Sequence, residues 1–193
     1  MLNKAIILAT RAHQGMLDKE GNPYIFHSLR VMMTLEKEDE RVVAILHDVL
    51  KNTDLYLSDL IRIGLNENQI KAIEALTRAR KETYNEYIDR ISENEIATKV
   101  KIADLIDNMN VSKIPNPTKK DYDKVKKYKK AYKKLIKATR RMKWESCDFS
   151  RGRFKKAMED ARKLWMPQAS LGSQTLEYEV AKIIGKFVNK IDK

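Results

Sequence analysis

The sequence predicts an all-α protein, and three observations favour that fold class. Only 6 glycines and 4 prolines occur in 193 residues, which is few for the many turns of a β-rich protein. Hydrophobic residues make up 42% of the chain and charged residues 34%, a balance typical of a soluble helical protein. Apolar residues recur at spacings of three and four, as they do on the buried face of an amphipathic helix. This length predicts one domain, or one domain with an appendage.

The first half of the chain divides into short helices with recognisable ends. Asn66 and Asn94 are suitable N-caps, Thr83 with Glu86 forms a capping box, and Ser58 is the expected N-cap of a further short helix. Apolar spacing and these caps predict helices over residues 2–14, 24–36, 39–51, 66–77 and 94–110.

The second half begins with the clearest break in the chain, residues 111–118, which contain two prolines. A long helix is predicted over residues 119–144, where Val125, Tyr128, Tyr132 and Leu135 form an apolar stripe that needs a partner surface. Two more helices are predicted over residues 150–166 and 173–191.

Charge is distributed unevenly between the two halves. Residues 1–110 carry a net charge of −3 and residues 111–193 carry +15, so the basic character belongs to the C-terminal part. A lysine-rich helix face is more often solvated than bound to nucleic acid, so a nucleic-acid partner is possible but not favoured. The single Cys147 and the lack of a membrane-length apolar segment predict a cytoplasmic protein without membrane contact.

Polar side chains with metal-binding chemistry lie inside three apolar runs. His47 and Asp48 are adjacent within residues 42–50, His27 follows four mostly apolar residues, and Asp104 has aliphatic neighbours. Burying these groups is costly without partners, and a divalent cation is one such partner. Two imidazoles and two carboxylates suit manganese or iron better than calcium. On spacing alone, a hydrogen-bonded core pair is an equally good interpretation of the adjacent His47 and Asp48.

Several ordered motifs carry a resemblance to a known family. The segments are residues 13–31 (HQGMLDKEGNPYIFHSLRV), 46–49 (LHDV) and 101–109 (KIADLIDNM), with 75–78 (ALTR) and 82–88 (ETYNEYI) between them. Together they resemble the HD-superfamily hydrolase domain of RelA/SpoT-type alarmone hydrolases and their small single-domain relatives. The resemblance covers residues 4 to about 135 and fades beyond residue 138.

The resemblance implies an HD-domain helical bundle over residues 1–138. The predicted helices and the positive charge beyond it favour a basic helical C-terminal extension of unknown role over residues 139–193. It implies one divalent metal, usually manganese, and a nucleotide substrate. The reaction is removal of pyrophosphate from the ribose 3′ position of guanosine tetra- or pentaphosphate, and some small relatives remove a phosphate from a nicotinamide dinucleotide phosphate. The implied metal ligands are His27, His47, Asp48 and Asp104. The implied nucleotide contacts are Lys19 and Asn108.

One departure from the family pattern bears on activity. The family has a Glu-Asp pair, credited with activating water, where this chain has Lys51 and Asn52. A lysine ammonium and an amide are poor general bases near neutral pH. Asp54 is the nearest acid downstream and is one possible replacement. Alternatively, Lys51 holds a phosphate in a site that binds nucleotide but turns over slowly.

Five residues of these motifs have expected positions or roles that bear on the site. Asp104 and Asn108 are four apart and share one side of a helix, whereas Asp107 is expected to lie off that side in solvent. His13 is expected to form a structural hydrogen bond. Tyr24 either stacks on a base or packs in the core.

Arg78 and Arg80 are expected to close a helix, where the helix dipole favours cations. Arg78 is also a secondary candidate for a phosphate contact. The oligomeric state is left open by the sequence.

Overall fold

The computed structural model describes residues 1–114 and 116–141, and all regular elements within these ranges are helical. The predicted all-α fold is therefore confirmed. The predicted helices over 150–166 and 173–191 lie outside the described residues. The elements are α1 (Leu2–Ala12), α2 (Ile25–Met33), α3 (Glu38–Leu46), α4 (Val49–Asn52), α5 (Leu57–Arg62), α6 (Glu67–Leu76), α7 (Tyr84–Ile91), α8 (Glu95–Asn108), a 3₁₀ turn (Val111–Lys113) and α9 (Lys119–Arg141).

Helix α3 is the centre of the bundle. It packs against α1, α2, α6 and α8, and every residue from Val42 to Leu46 has no solvent exposure. Burying an aliphatic side chain of this size contributes about 1.5–3 kcal/mol, so this continuous apolar run favours a central position. A buried ion pair between Glu40 and Lys99, 2.7 Å apart, also joins α3 to α8.

The segment predicted as one helix over residues 39–51 is interrupted at the His47–Asp48 doublet. Helix α3 ends at Leu46 and α4 begins at Val49. At this end the ring Nδ1–H of His47 donates to the Ala44 carbonyl at 2.7 Å, so a side chain satisfies a terminal carbonyl of the helix. The interruption leaves both side chains of the doublet at a helix junction.

Most of the predicted helix starts agree with the structure. Asn66, Asn94 and Thr83 are N-caps, and the capping box pairs the Thr83 N–H with Glu86 at 2.7 Å. Ser58 as an N-cap is wrong. Helix α5 begins one residue earlier, at Leu57, so Tyr56 is its N-cap. The Tyr56 backbone N–H donates to the Asp59 carboxylate.

The expected closure of α6 by Arg78 and Arg80 is also wrong. Helix α6 ends at Leu76, and the Arg78 guanidinium donates instead to the Glu82 carbonyl of the following loop. The carbonyls at the end of α6 accept from Arg90 of α7, whose guanidinium is held by the Glu82 carboxylate at 2.7 Å. A cation does cap this helix, but it comes from a tertiary neighbour.

Helix α9 packs on α7 and α8 through the predicted apolar stripe. Leu135 has no solvent exposure, Ala131 is buried, and Val125, Tyr128 and Tyr132 are partly buried. Lys134 also forms an ion pair with Asp89 of α7. Because α9 runs without interruption to Arg141, residue 138 lies inside a helix; a domain boundary after it stays a prediction.

Replacing Leu135 with alanine should test whether α9 packs on the bundle in this way. We expect the free energy of unfolding in urea to fall by about 2–5 kcal/mol, because removing a fully buried leucine leaves a cavity beneath α9. The control is Tyr122→Ala on the exposed side of α9, which should change it by less than about 0.5 kcal/mol. Equal effects of the two variants would contradict the packing of α9 on the bundle.

Within the described ranges, no helix is both long enough and apolar enough to span a membrane.

Candidate metal centre and cleft

Three helices bring two imidazoles and a carboxylate to one point. His27 lies on α2, His47 at the end of α3 and Asp104 on α8. The Nε2 atoms of His27 and His47 lie 3.1 and 3.7 Å from Asp104 Oδ1. One ligand atom from each residue falls within 4.8 Å of the others, and all three side chains are buried. This arrangement forms a possible metal site.

The two histidines present the same ring nitrogen to this point. Nδ1 of His47 pairs with the Ala44 carbonyl, and Nδ1 of His27 pairs with the Asp107 carboxylate at 2.8 Å. These acceptors fix a proton on each Nδ1, so Nε2 is the nitrogen that would bind a metal, in place of any proton it carries. His47 Nε2 is buried and has no hydrogen-bond partner among the described residues. The two imidazole nitrogens and the Asp104 carboxylate therefore fit a divalent cation.

The expectation that Asp107 is solvated is wrong. Asp107 is only 4% exposed and accepts from both Nε and Nη2 of Arg30, at 2.9 and 3.1 Å, as well as pairing with His27. Residues three apart on a helix are also neighbours, so Asp107 lies beside Asp104 and faces α2. The arginine holds the carboxylate and the carboxylate holds the imidazole, which is the supporting arrangement that orients metal-binding histidines.

Asp104 is held on both sides by residues of its own helix. Its Oδ2 accepts from the Lys101 ammonium at 2.7 Å, and its Oδ1 accepts from the Asn108 amide at 2.5 Å. Burial raises the pKa of Asp104, but Lys101 and His27 outweigh it and hold that pKa well below the usual range. Lys101 also lies over the Tyr87 ring at 5.3 Å. Asp104 therefore stays ionised in a buried position.

Asp48 lies beside the three converging residues. Its Oδ2 is 3.4 Å from His47 Nε2 and accepts from the Tyr24 hydroxyl at 2.5 Å. Burial raises the pKa of Asp48, but His47 and Lys51 lower it to about 2. The carboxylate lies within 4 Å of both imidazole Nε2 atoms, but it is not one of the three residues whose ligand atoms converge.

Lys51 and Asn52 both lie beside Asp48 and Tyr24. The Asn52 amide donates to the Tyr24 hydroxyl at 3.0 Å, and the Lys51 ammonium lies 3.6 Å from Asp48 Oδ1 with its side chain 61% exposed. Asp54 is exposed, and within the described residues it forms no hydrogen bond or ion pair with the converging side chains. The structure thus places Lys51 and Asn52 at the site but not Asp54.

The negative groups around His27 make the site attractive to positive charge. Burial lowers the pKa of His27, but hydrogen bonds from its ring to Asp104 and Asp107 outweigh that effect and raise the pKa to about 9. A cation that binds here competes with the proton on this ring, so metal affinity is expected to fall as the pH is lowered.

A cleft of about 290 Å³ opens above His27 and Asn108. The loop that carries Lys19 forms one wall, and the first half of α9 forms another. Lys19 pairs with Asp121 at 2.9 Å across this opening. The nearby Lys19 ammonium lowers the pKa of Lys124, because two positive charges that lie close together repel each other. The α9 residues that line the cleft are Asp121, Lys124, Val125 and Tyr128.

The remaining predicted residues divide into those near the site and those away from it. Tyr24 lines the cleft, but its hydroxyl is committed to Asp48 and its ring packs 5.0 Å from that of His13. His13 is buried, and neither of its ring nitrogens has a hydrogen-bond partner among the described residues, so the expected structural hydrogen bond is wrong. Burial lowers the pKa of His13 to about 4, so the ring is neutral. Arg78 is exposed and is occupied by its own loop.

Replacing Asp107 with asparagine should weaken metal binding without removing a ligand. We expect the dissociation constant for Mn²⁺ measured by calorimetry to rise by about 10–100-fold, because the amide no longer matches both Arg30 and the His27 ring. Asp89→Asn on α7 removes the same charge from an exposed position and should leave the constant unchanged. Unchanged affinity in the Asp107 variant would show that this carboxylate has no effect on the metal centre.

No family model matches the chain. Among curated proteins, the chain is 28% identical over 120 residues to a guanosine-3′,5′-bis(diphosphate) 3′-pyrophosphohydrolase of Aquifex aeolicus (strain VF5). That similarity covers 56% of this chain and 17% of the relative, so the chain spans less than a fifth of that protein's length.

A solved structure gives an independent likeness in fold. It belongs to a protein described as a metazoan ortholog of SpoT that hydrolyses ppGpp and plays a role in starvation responses. The TM-score is 0.60 at 17% sequence identity, and the match covers 84% of this chain and 93% of that chain. Both likenesses agree with the resemblance that the sequence motifs carry.

Proposed function

We propose, from the premise that the described residues form an all-α, RelA/SpoT hydrolase-like domain of the HD type, that the protein is a manganese-dependent phosphohydrolase. Its substrate is a guanosine alarmone of the ppGpp type, or a related nucleotide that carries additional phosphates. The observation that carries the proposal is the convergence of two imidazole Nε2 atoms and one buried carboxylate below a cleft with cations at its mouth.

His27, His47 and Asp104 would hold the metal, and Asp48 would complete the set. Mixed nitrogen and oxygen ligands of this kind suit Mn²⁺. When bound, the metal supplies Lewis-acid polarisation of a phosphoryl oxygen and increases the acidity of water. The protein's own contribution is to direct Nε2 of both rings inward, through Asp107 and the Ala44 carbonyl, and to keep Asp104 ionised through Lys101.

The cleft supports a phosphorylated substrate. Lys19 and Lys124 place two ammonium groups at its mouth, and paired cations of this kind favour a phosphate chain. The partly buried Tyr128 ring lines the same wall and offers a stacking surface for a base. Asn108 lies between these groups and the metal ligands, where its amide contacts the substrate or orients Asp104. The nucleotide would therefore lie along the cleft with its scissile phosphate toward His27.

The second candidate is a nucleotide-binding protein with weak turnover. It rests on one observation, the Lys51 ammonium 3.6 Å from Asp48, where the family pattern has an acid. A cation there attracts the phosphate, but it does not accept a proton from water at neutral pH. We therefore propose that hydrolysis is slow compared with that of proteins that have the acidic pair.

The test is incubation of the purified protein with Mn²⁺ and a panel of nucleotides, with the products separated by chromatography. The proposal predicts conversion of guanosine tetraphosphate to guanosine diphosphate and pyrophosphate, and loss of this conversion with a chelator. Nucleotide binding without conversion would support the binding protein instead. If the protein neither binds nor converts any nucleotide in the panel, both candidate functions are refuted.

A further inference from the structure

The outer side of α9 carries a straight row of lysines. At 100° per residue, the members of the row lie within about 40° of a line directly opposite the inward-facing Tyr128 and Leu135. All are exposed. At 1.5 Å per residue the row is about 27 Å long. Its members, which we call the outer lysine row, are Lys119, Lys126, Lys130, Lys133 and Lys137.

This positive charge is not neutralised by nearby acids. Helix α9 contains 12 lysines and arginines but only 2 aspartates. Lys126 pairs with Asp123 at 3.4 Å, whereas the other four members of the row have no carboxylate partner within the part of the chain that the structure describes. Like charges spaced three or four residues apart destabilise a helix, so the row lowers the stability of the element that carries it. A polyanion bound along the row would offset this repulsion.

We propose that the outer lysine row is a docking surface for the phosphate backbone of nucleic acid. Lysine ammonium groups are point charges that contact phosphates without reading bases, so the row should bind independently of sequence. A lipid surface fits less well, because the row has no apolar side chains to enter the bilayer. The single exposed aromatic residue of α9 among those described, Tyr122, lies at the edge of the row.

The row is separate from the cleft. The α9 residues that line the cleft, Lys124, Val125 and Tyr128 among them, lie on the other sides of the helix, and no member of the row lines it. Docking and nucleotide hydrolysis therefore depend on different side chains. The inference goes beyond the proposed phosphohydrolase and does not depend on it.

The experiment compares two triple variants of the full chain that have the same net charge. The row variant is Lys130→Gln, Lys133→Gln and Lys137→Gln. The control variant is Lys4→Gln, Lys37→Gln and Lys81→Gln, three exposed lysines outside α9. Binding to a labelled DNA duplex of about 20 base pairs is measured by fluorescence anisotropy over a series of salt concentrations. Vesicles with anionic lipid serve as the competing probe.

Each phosphate neutralised contributes about −0.9 to the slope of log affinity against log salt, so five lysines predict a slope of about −4.5. The row variant should have a slope of about −1.8 and much weaker binding at low salt, and the control variant should match the wild type. A row variant that binds like the control would overturn the proposal. So would a wild type that binds no duplex at low salt, or one that binds the vesicles but not the duplex. A circular dichroism spectrum unchanged from the wild type establishes that the row variant retains its helices.

Discussion

Replacing His47 with alanine is expected to abolish both metal binding and hydrolysis. The ring supplies one of the three buried ligand atoms that converge, and its orientation is fixed by the bond from Nδ1 to the Ala44 carbonyl. Loss of the metal removes several kcal/mol of stabilisation from the transition state, and about 4 kcal/mol corresponds to roughly a 10³-fold lower rate. Calorimetry with Mn²⁺ and the chromatographic assay would measure the two effects separately.

His13→Ala is the matched control for this variant. His13 is also a buried histidine, 2% exposed, but it packs against Tyr24 and is not one of the three converging ligands. We expect this variant to lose stability and to keep one metal per chain. A His47 variant that retained full Mn²⁺ affinity would mean that the metal binds at another place.

Restoring the acidic pair is expected to increase turnover. In the double variant Lys51→Glu and Asn52→Asp, a carboxylate replaces the ammonium near Asp48 and supplies a general base. Positioned general-base catalysis contributes about 10²–10⁴-fold, so the rate of alarmone hydrolysis should rise by an amount in that range. The rate should be measured at saturating Mn²⁺, because the added negative charge also changes metal affinity.

Two single variants identify which residue limits the rate. Asn52 donates to the Tyr24 hydroxyl, which itself donates to Asp48. An aspartate at position 52 can only accept, so Asn52→Asp alone sets two carboxylates in competition for one hydroxyl proton and should disturb Asp48. Lys51→Glu alone leaves this chain of hydrogen bonds intact. The rival base is tested by Asp54→Asn, which should leave the rate unchanged because Asp54 contacts none of the converging residues among those described.

The sequence predicted the three converging residues because each is a polar group within an apolar run. A buried imidazole or carboxylate needs a partner, and that requirement is visible in the local sequence alone. The residues that support these ligands were not predicted, because the local sequence does not show which groups they pair with. Arg30 and Asp107 are 77 positions apart, so their pairing depends on how α2 meets α8. The spacing of three between Asp104 and Asp107 was a usable signal that the expectation of a solvated Asp107 overlooked.

The cleft residues on α9 were less predictable. Tyr128 belongs to an apolar stripe that fits core packing equally well, and Lys124 is one of many lysines in the same helix. Only the tertiary contact of α9 with the loop around Lys19 distinguishes these two residues from their neighbours. The cap of α6 was also hard to predict from sequence, because Arg90 belongs to the following helix and reaches the end of α6 only through a tertiary contact.

The most direct test of the metal centre is anomalous diffraction from a crystal grown with Mn²⁺. One anomalous peak per chain is expected, within about 2.5 Å of His27 Nε2, His47 Nε2 and an oxygen of Asp104, with an Asp48 oxygen in the same shell. A peak at another place in the chain, or one more than about 3 Å from these side chains, would contradict the assignment.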